Sequence, residues 1–228
     1  LEFTLDTVAP AVPLVALVND TGVSAVDSIT RDGRIAVSGL ETDARVEYSS
    51  NGGVWLGSFV AVPGTNVVKV RQTDAAGNVS AEATRTFTLD TTAATITGIV
   101  LPTAGNYATG ATLSISVTFS ENVFVSPYTG PAALQASMTP SIELTIGGKK
   151  VKASYASGSG TSTLVFSYKI LATDKETTGI SLANVVSLAA GNWIRDAAGN
   201  DAGFVALTID LGYFRDFHAA LDVGPHGS

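Results

Sequence analysis

An all-β chain of two tandem antiparallel sandwiches, the second enlarged by loop insertions, is what this sequence predicts, and three observations predict it. First, short stretches alternate apolar and polar residues, as in Leu113, Ile115, Val117 and Phe119 separated by serines and a threonine. Second, no amphipathic helix of three turns is evident; Asp174-Lys175-Glu176 begins at most one helical turn. Third, a pair of motifs recurs. Asp74-Ala75-Ala76-Gly77-Asn78 returns intact at Asp196 to Asn200, and Phe87-Thr88-Leu89-Asp90 is echoed by Phe3-Thr4-Leu5-Asp6 and by Leu207-Thr208-Ile209-Asp210. Taking Asp6, Asp90 and Asp210 as one structural point gives successive units of 84 and 120 residues. Residues 1–10 are then the end of a preceding repeat with its linker and 11–90 a first domain. Residues 91–94 are a linker, 95–211 a second, longer domain, and 212–228 a tail.

In the first unit, Val12 to Val18 reads as a strand ended by Asn19-Asp20-Thr21-Gly22, after which a polar loop carries Asp20, Asp27 and Asp32. Ile35 and Val37, then Val46 and Tyr48, continue the alternation. Asn51-Gly52-Gly53 is a hairpin turn, because Asn and Gly tolerate the positive φ that such a turn requires. Val54 to Val62, Asn66 to Thr73 and Ala83 to Leu89 supply further strands. About seven strands in this length is the count of an immunoglobulin-like or fibronectin-like sandwich. The second unit repeats the plan with Thr112 to Phe119, Ile142 to Ile146, Val151 to Tyr155 and Leu164 to Ile170, and Ser157-Gly158-Ser159-Gly160 turns a long hairpin. Its extra length lies in two insertions, Ser120 to Pro140 and Ala172 to Ala190.

Composition narrows the function. With 45% hydrophobic and 14% charged residues the chain is β-rich and able to bury a core in each unit. No apolar run approaches the roughly 20 residues of a membrane span. The net charge is −7, and the first 90 residues hold 11 acidic against 6 basic side chains, which disfavours nucleic acid and favours cations. There is no cysteine, and both histidines, His218 and His226, lie in the tail, so a thiol, a Ser/His/Asp relay or a His-ligated zinc lacks its parts. No glycine-rich phosphate loop precedes a helix, and a two-carboxylate hydrolase needs a cleft that short sandwiches rarely provide. The expectation is a non-enzyme. The chain opens inside a strand-like segment without a signal region, as a piece of a longer protein would. The tail departs from the earlier linkers, since Asp210 runs into Leu211-Gly212-Tyr213, either an appended remnant or a join to another kind of domain.

The series Leu5-Asp6-Thr7-Val8-Ala9-Pro10, Asn19-Asp20-Thr21-Gly22, Asp27-Ser28-Ile29-Thr30, Tyr48 to Trp55 and Thr73 to Asn78 resembles the bacterial Ig-like repeats of large secreted adhesins of the RTX and biofilm-associated types. Five motifs in order carry the likeness over residues 1–93. The second unit is similar to a longer repeat of the same kind through Val117-Thr118-Phe119-Ser120-Glu121, Tyr155 to Thr161 and Asp196 to Asn200. It departs in its first loop, where Asn106, Tyr107 and Gly110 occur without an aspartate. The resemblance implies export to the bacterial cell surface, tandem neighbours in the same chain, glycan or protein ligands bound by other domains, and calcium between domains. A monomer is expected.

In a sandwich of that strand order, Asp20, Asp27 and Asp90 share one pole of the first unit, and Asp196 with Asn200 caps the facing pole of the second. Hard Ca²⁺ takes six to eight oxygens, which carboxylates, amides and carbonyls supply. Asp6, Asp74 and Asn78 form half of an earlier junction. The competing reading is turn chemistry alone, with Asp and Asn bonding their own backbone. Three aromatics are candidate ligand contacts, Phe124 and Tyr128 in the first insertion and Trp193 before the repeated loop, set against plain packing. Trp55 reads mainly as a cover for a core edge. Lys149, Lys150 and Lys152 read as a solvated hairpin. The function expected is a calcium-rigidified extender segment presenting a distal binding domain. The alternative is a carbohydrate- or peptide-binding module with its site on the second domain, and an accessory domain of a secreted hydrolase stands third.

Overall fold

A computed structural model describes residues 5–103, 107–127, 139–174 and 180–203. The chain is all-β, with no helix among those residues. It divides into two compact units, Leu1–Thr92 with Ala197–Asn200, and Ala93–Asp196 with Asp201–Ser228, of which the described residues are treated in turn.

Unit 1 holds β1 (Leu14–Leu17), β2 (Ile29–Thr30), β3 (Ile35–Ser38), β4 (Arg45–Ser50), β5 (Trp55–Leu56), β6 (Gly64–Thr73) and β7 (Ala83–Leu89). One sheet runs β2-β7-β6-β4-β5 and the other pairs β1 with β3. The β6 residues Val68 and Val70 and the β7 residues Phe87 and Leu89 are buried, and Val15, Leu17, Ile35 and Val37 of the smaller sheet pack on them. Alternation thus puts the apolar faces of both sheets together. All ladders are antiparallel except β2 with β7, where two residues pair in parallel. The stretch Val54 to Val62 forms a strand only at Trp55–Leu56, and Val54, Val60 and Val62 are exposed. Asn66 accounts for the chain's path there. Its buried amide accepts from the Val62 N–H and donates to the carbonyls of Val62 and Gly64, tying a turn where a ladder would otherwise run.

Unit 2 holds β8 (Ile96–Val100), β9 (Thr112–Val125), β10 (Ser141–Ile146), β11 (Lys149–Ser157), β12 (Thr161–Lys169), β13 (Ile180–Ser187) and β14 (Ile194–Arg195). Their order is β13-β10-β11-β12-β9-β14, with β8 on β9. Leu113 and Ile115 of β9 line the same small apolar cavity as Leu144 of β10 and Leu182 of β13, although β11 and β12 stand between them in the sheet. The sheet therefore curls so that its two walls face each other as the layers of a sandwich. The cluster they enclose includes Val117, Phe119, Ile142, Leu164, Phe166 and Ile194, all nearly inaccessible.

Both insertions contain more strand than loop among their described residues. β9 continues through Ser120 to Val125, because Val123 pairs with Thr161 past a register shift and Phe124 and Val125 pair with β14. β13 lies within Ala172 to Ala190 and joins the edge of β10. The helical turn expected at Asp174-Lys175-Glu176 falls partly outside the described residues.

Candidate functional site

The loop carboxylates of unit 1 are built from their own turns. Asp20 Oδ2 accepts the Ser28 N–H at 3.0 Å, and its Oδ1 is buried without a hydrogen-bond partner. Asp27 Oδ1 accepts the Ile29 N–H at 3.0 Å, and Asp90 Oδ1 accepts the Thr92 N–H at 2.9 Å. Asp32 is held by a bidentate contact from Arg34 and by the Asn19 amide, and these donors, Arg34 foremost, keep its carboxyl well below the usual range.

Ala197–Asn200, the tip of the second Asp-Ala-Ala-Gly-Asn block, belongs to this unit. The Thr21 hydroxyl donates to the Ala198 carbonyl at 2.8 Å, Arg31 Nη1 donates to the Gly199 carbonyl at 2.8 Å, and Asn200 Nδ2 donates to the Asp90 carbonyl at 3.0 Å. Gly22 has φ +107°, and a Cβ there would lie 2.0 Å from the Ala197 carbonyl oxygen, so this approach requires glycine.

The first copy of the block closes on itself. Asp74 Oδ1 accepts the Asn78 N–H at 2.8 Å and Oδ2 accepts Asn78 Nδ2 at 2.9 Å, with Gly77 at φ +95°. The Asn78 amide, the chief cause, holds the Asp74 carboxyl below its usual range. Asn78 Nδ2 also donates to the Asp6 carbonyl at 3.2 Å, while Asp6 Oδ1 accepts the Val8 N–H. The loop has the geometry of a tight turn with its glycine in the left-handed region, as the competing turn reading describes.

In unit 2, Asp196 is fully buried just after β14, and Glu121 is half-buried on β9. Carboxylate oxygens of the two lie within 4.8 Å of each other. Like charges that close repel unless a cation or proton intervenes, and the repulsion grows with burial. Glu121 is absent from the sequence-derived candidates. Its signal is an acid placed inside an otherwise apolar alternation, between Phe119 and Val123. Within unit 2, Glu121 and Asp196 are carboxylates whose chemistry suits a hard cation.

Among the aromatics, Tyr128 lies outside the described residues. Phe124 is half-buried beside Gly160, where a Cβ would stand 3.6 Å from its ring. Trp55 carries Arg71 at 4.1 Å over its ring, and Arg71 also pairs with Glu47. Trp193 is half-buried, with Arg195 at 5.1 Å from its ring centre. The lysine hairpin holds more than solvent contacts. Lys149 pairs with the buried Asp174 at 3.1 Å and Lys150 with Glu143 at 2.7 Å.

Among solved structures, the chain has a weak likeness to the D00-D0 domain of intimin, at 13% sequence identity over 78% of this chain and 99% of that one, with a TM-score of 0.21. No family model and no curated protein sequence matches the chain.

Proposed function

We propose that this chain is an extender segment of a bacterial cell-surface adhesin, a non-catalytic run of β units that holds a distal binding domain away from the cell. Calcium held by its carboxylates restrains the linker Thr91–Ala94. The observation that carries the reading is the pair Glu121 and Asp196. A fully buried carboxylate with a second one within 4.8 Å is the kind of hard-oxygen pair that a calcium coordination shell uses. Asp90, the repeated end point of the first unit, is the carboxylate that leads into that linker. The recurrence of that loop with its closing Thr-Leu-Asp or Thr-Ile-Asp fits a tandem array at the cell exterior, where millimolar calcium is at hand.

The test is a thermal melt with calcium and with chelator, paired with small-angle scattering. With a Kd on the order of 10⁻⁴ to 10⁻³ M, a tenfold excess of calcium adds about 1.4 kcal/mol of stability. Glu121→Gln, Asp196→Asn and Asp90→Ala should each remove that rise, and Asp90→Ala should also remove any calcium-dependent lengthening. A melting curve and a scattering profile that chelator leaves unchanged would sink the calcium mechanism.

A further inference from the structure

Beyond an extender role, unit 2 carries a feature that a spacer does not need. Around Trp193 is a cleft of about 370 Å³, bounded by Leu188, Asn192, Trp193, Arg195 and Asp201. Such a volume is at the small end of ligand sites, which run from about 300 to 1,000 Å³. We propose that it is a carbohydrate-binding site for a neutral hexopyranose unit.

The local chain explains why these side chains converge. Ala189 to Asn192 form a tight turn closed by the Asn192 N–H on the Ala189 carbonyl, with Gly191 at φ +84°. Trp193 is then fixed at both backbone groups. Its N–H donates to Ser126 Oγ at 3.1 Å, and its carbonyl accepts the Ser126 N–H at 3.0 Å. Ile194 points into the core, so period-two alternation sends Trp193 and Arg195 to the same outer face. The bridge from Arg195 to Asp201 sets the Asp201 carboxylate beside the guanidinium, Nε to Oδ1 at 2.6 Å. The indole is thus held on a backbone anchor rather than on a mobile loop, and a rigid aromatic binds with little loss of side-chain freedom.

The set of groups matches a sugar. A pyranose presents a face of C–H groups, which packs on an indole, and a rim of hydroxyls, which are donors and acceptors at once. The Arg195–Asp201 pair offers both kinds of partner side by side. It is reachable, with side-chain exposures of 36% and 68%. The Asn192 amide, whose Oδ1 accepts from Ser126 Oγ, lies on the same rim. Neutrality follows from the charges: the guanidinium is already matched by Asp201, so an acidic sugar gains no unpaired cation and meets an exposed carboxylate. Arg195 lies 5.1 Å from the Trp193 ring centre, so the sugar is expected on the indole surface that the guanidinium leaves open, with the Arg195–Asp201 pair at its rim.

The experiment uses the full chain carrying Trp55→Phe, so that fluorescence reports Trp193 alone. The probes are the methyl pyranosides of glucose, galactose and mannose, their short oligosaccharides, and a sialylated trisaccharide. A saturable fluorescence change with a neutral probe is expected, at a Kd of about 1 mM, weakened about tenfold or more by Asp201→Ala or Arg195→Ala. Saturation-transfer NMR should mark the C–H face of the sugar, and Trp193→Phe should keep that pattern at reduced affinity. Asp201 lies at the rim, so its replacement should leave the near-ultraviolet circular dichroism unchanged. No saturable response to any neutral probe, binding confined to the sialylated probe, or undiminished binding by Asp201→Ala would each overturn the proposal. A calcium-insensitive chain that still binds sugar would refute the extender mechanism and leave this site standing.

Discussion

Asp174→Ala should lower the stability of unit 2 by about 3 kcal/mol. The side chain of Asp174 is inaccessible to solvent and accepts three hydrogen bonds: Tyr168 Oη at 2.6 Å and the Leu171 N–H at 2.8 Å on Oδ2, and Lys149 Nζ at 3.1 Å on Oδ1. Truncation removes the acceptor of a half-buried phenol hydroxyl and of the Leu171 N–H, at about 1–3 kcal/mol each. Lys149 is 49% exposed and returns to water, so its share is about 0–1 kcal/mol. Urea unfolding followed by Trp193 fluorescence, in a Trp55→Phe background, isolates the unit. With a slope of about 1–3 kcal/mol per molar urea, the midpoint should fall by about 1–3 M. The pH dependence has two limbs. Burial pushes the Asp174 carboxyl up, but the Tyr168 hydroxyl, the Leu171 N–H and Lys149 outweigh it and hold the group below its usual range. Its contribution is therefore present above the unfolded value of about 4 and is lost as pH falls through the lower folded value. Burial first, and then Asp174, push the Tyr168 phenol up to about 12. That contribution is whole below about 10 and disappears as pH rises through 12. A midpoint that Asp174→Ala moves by less than about 0.3 M would mean that water already reaches these groups, and the reasoning would fail.

Two further expectations concern turns and buried polar groups. Gln72 is fully buried; its Nε2 donates to the Ala11 and Gly39 carbonyls, and its Oε1 accepts the Glu41 N–H. Gln72→Leu should therefore destabilise unit 1 by about 3 kcal/mol in the urea transition read by Trp55 in a Trp193→Phe background, and a loss under about 0.5 kcal/mol would contradict the network. Gly158 turns β11 into β12 at φ +108°, and a Cβ there would sit 2.1 Å from the Thr163 carbonyl oxygen, so Gly158→Ala should cost unit 2 about 2 kcal/mol or more. An unchanged melting temperature would show that the hairpin can open a different turn.

What the sequence by itself determined is local. Asn51 and Gly52 adopt the positive φ their turn requires, at 50° and 78°, and the Asp74 to Asn78 loop closes through its own Asp and Asn side chains. Both results depend on a few consecutive residues and on backbone sterics, which a sequence states directly. The period-two pattern also placed Leu113, Ile115, Val117 and Phe119 on the buried face of β9. Tertiary structure decided what required a partner. Val54 to Val62 is rich in valine and aromatic residues as a strand is, yet most of it has no ladder, because composition tells how apolar a stretch is and not which edge it pairs with. Ser120 to Val125 looked like the start of a loop and became strand because Thr161 and β14 were there to pair with it. Glu121 and Asp196 are separated by 75 positions, and only the pairing of β14 with β9 sets their carboxylates within 4.8 Å. The same holds for Trp193 and Asp201, since a cleft depends on a turn, a strand edge and a bridge closing in space rather than on any spacing along the chain.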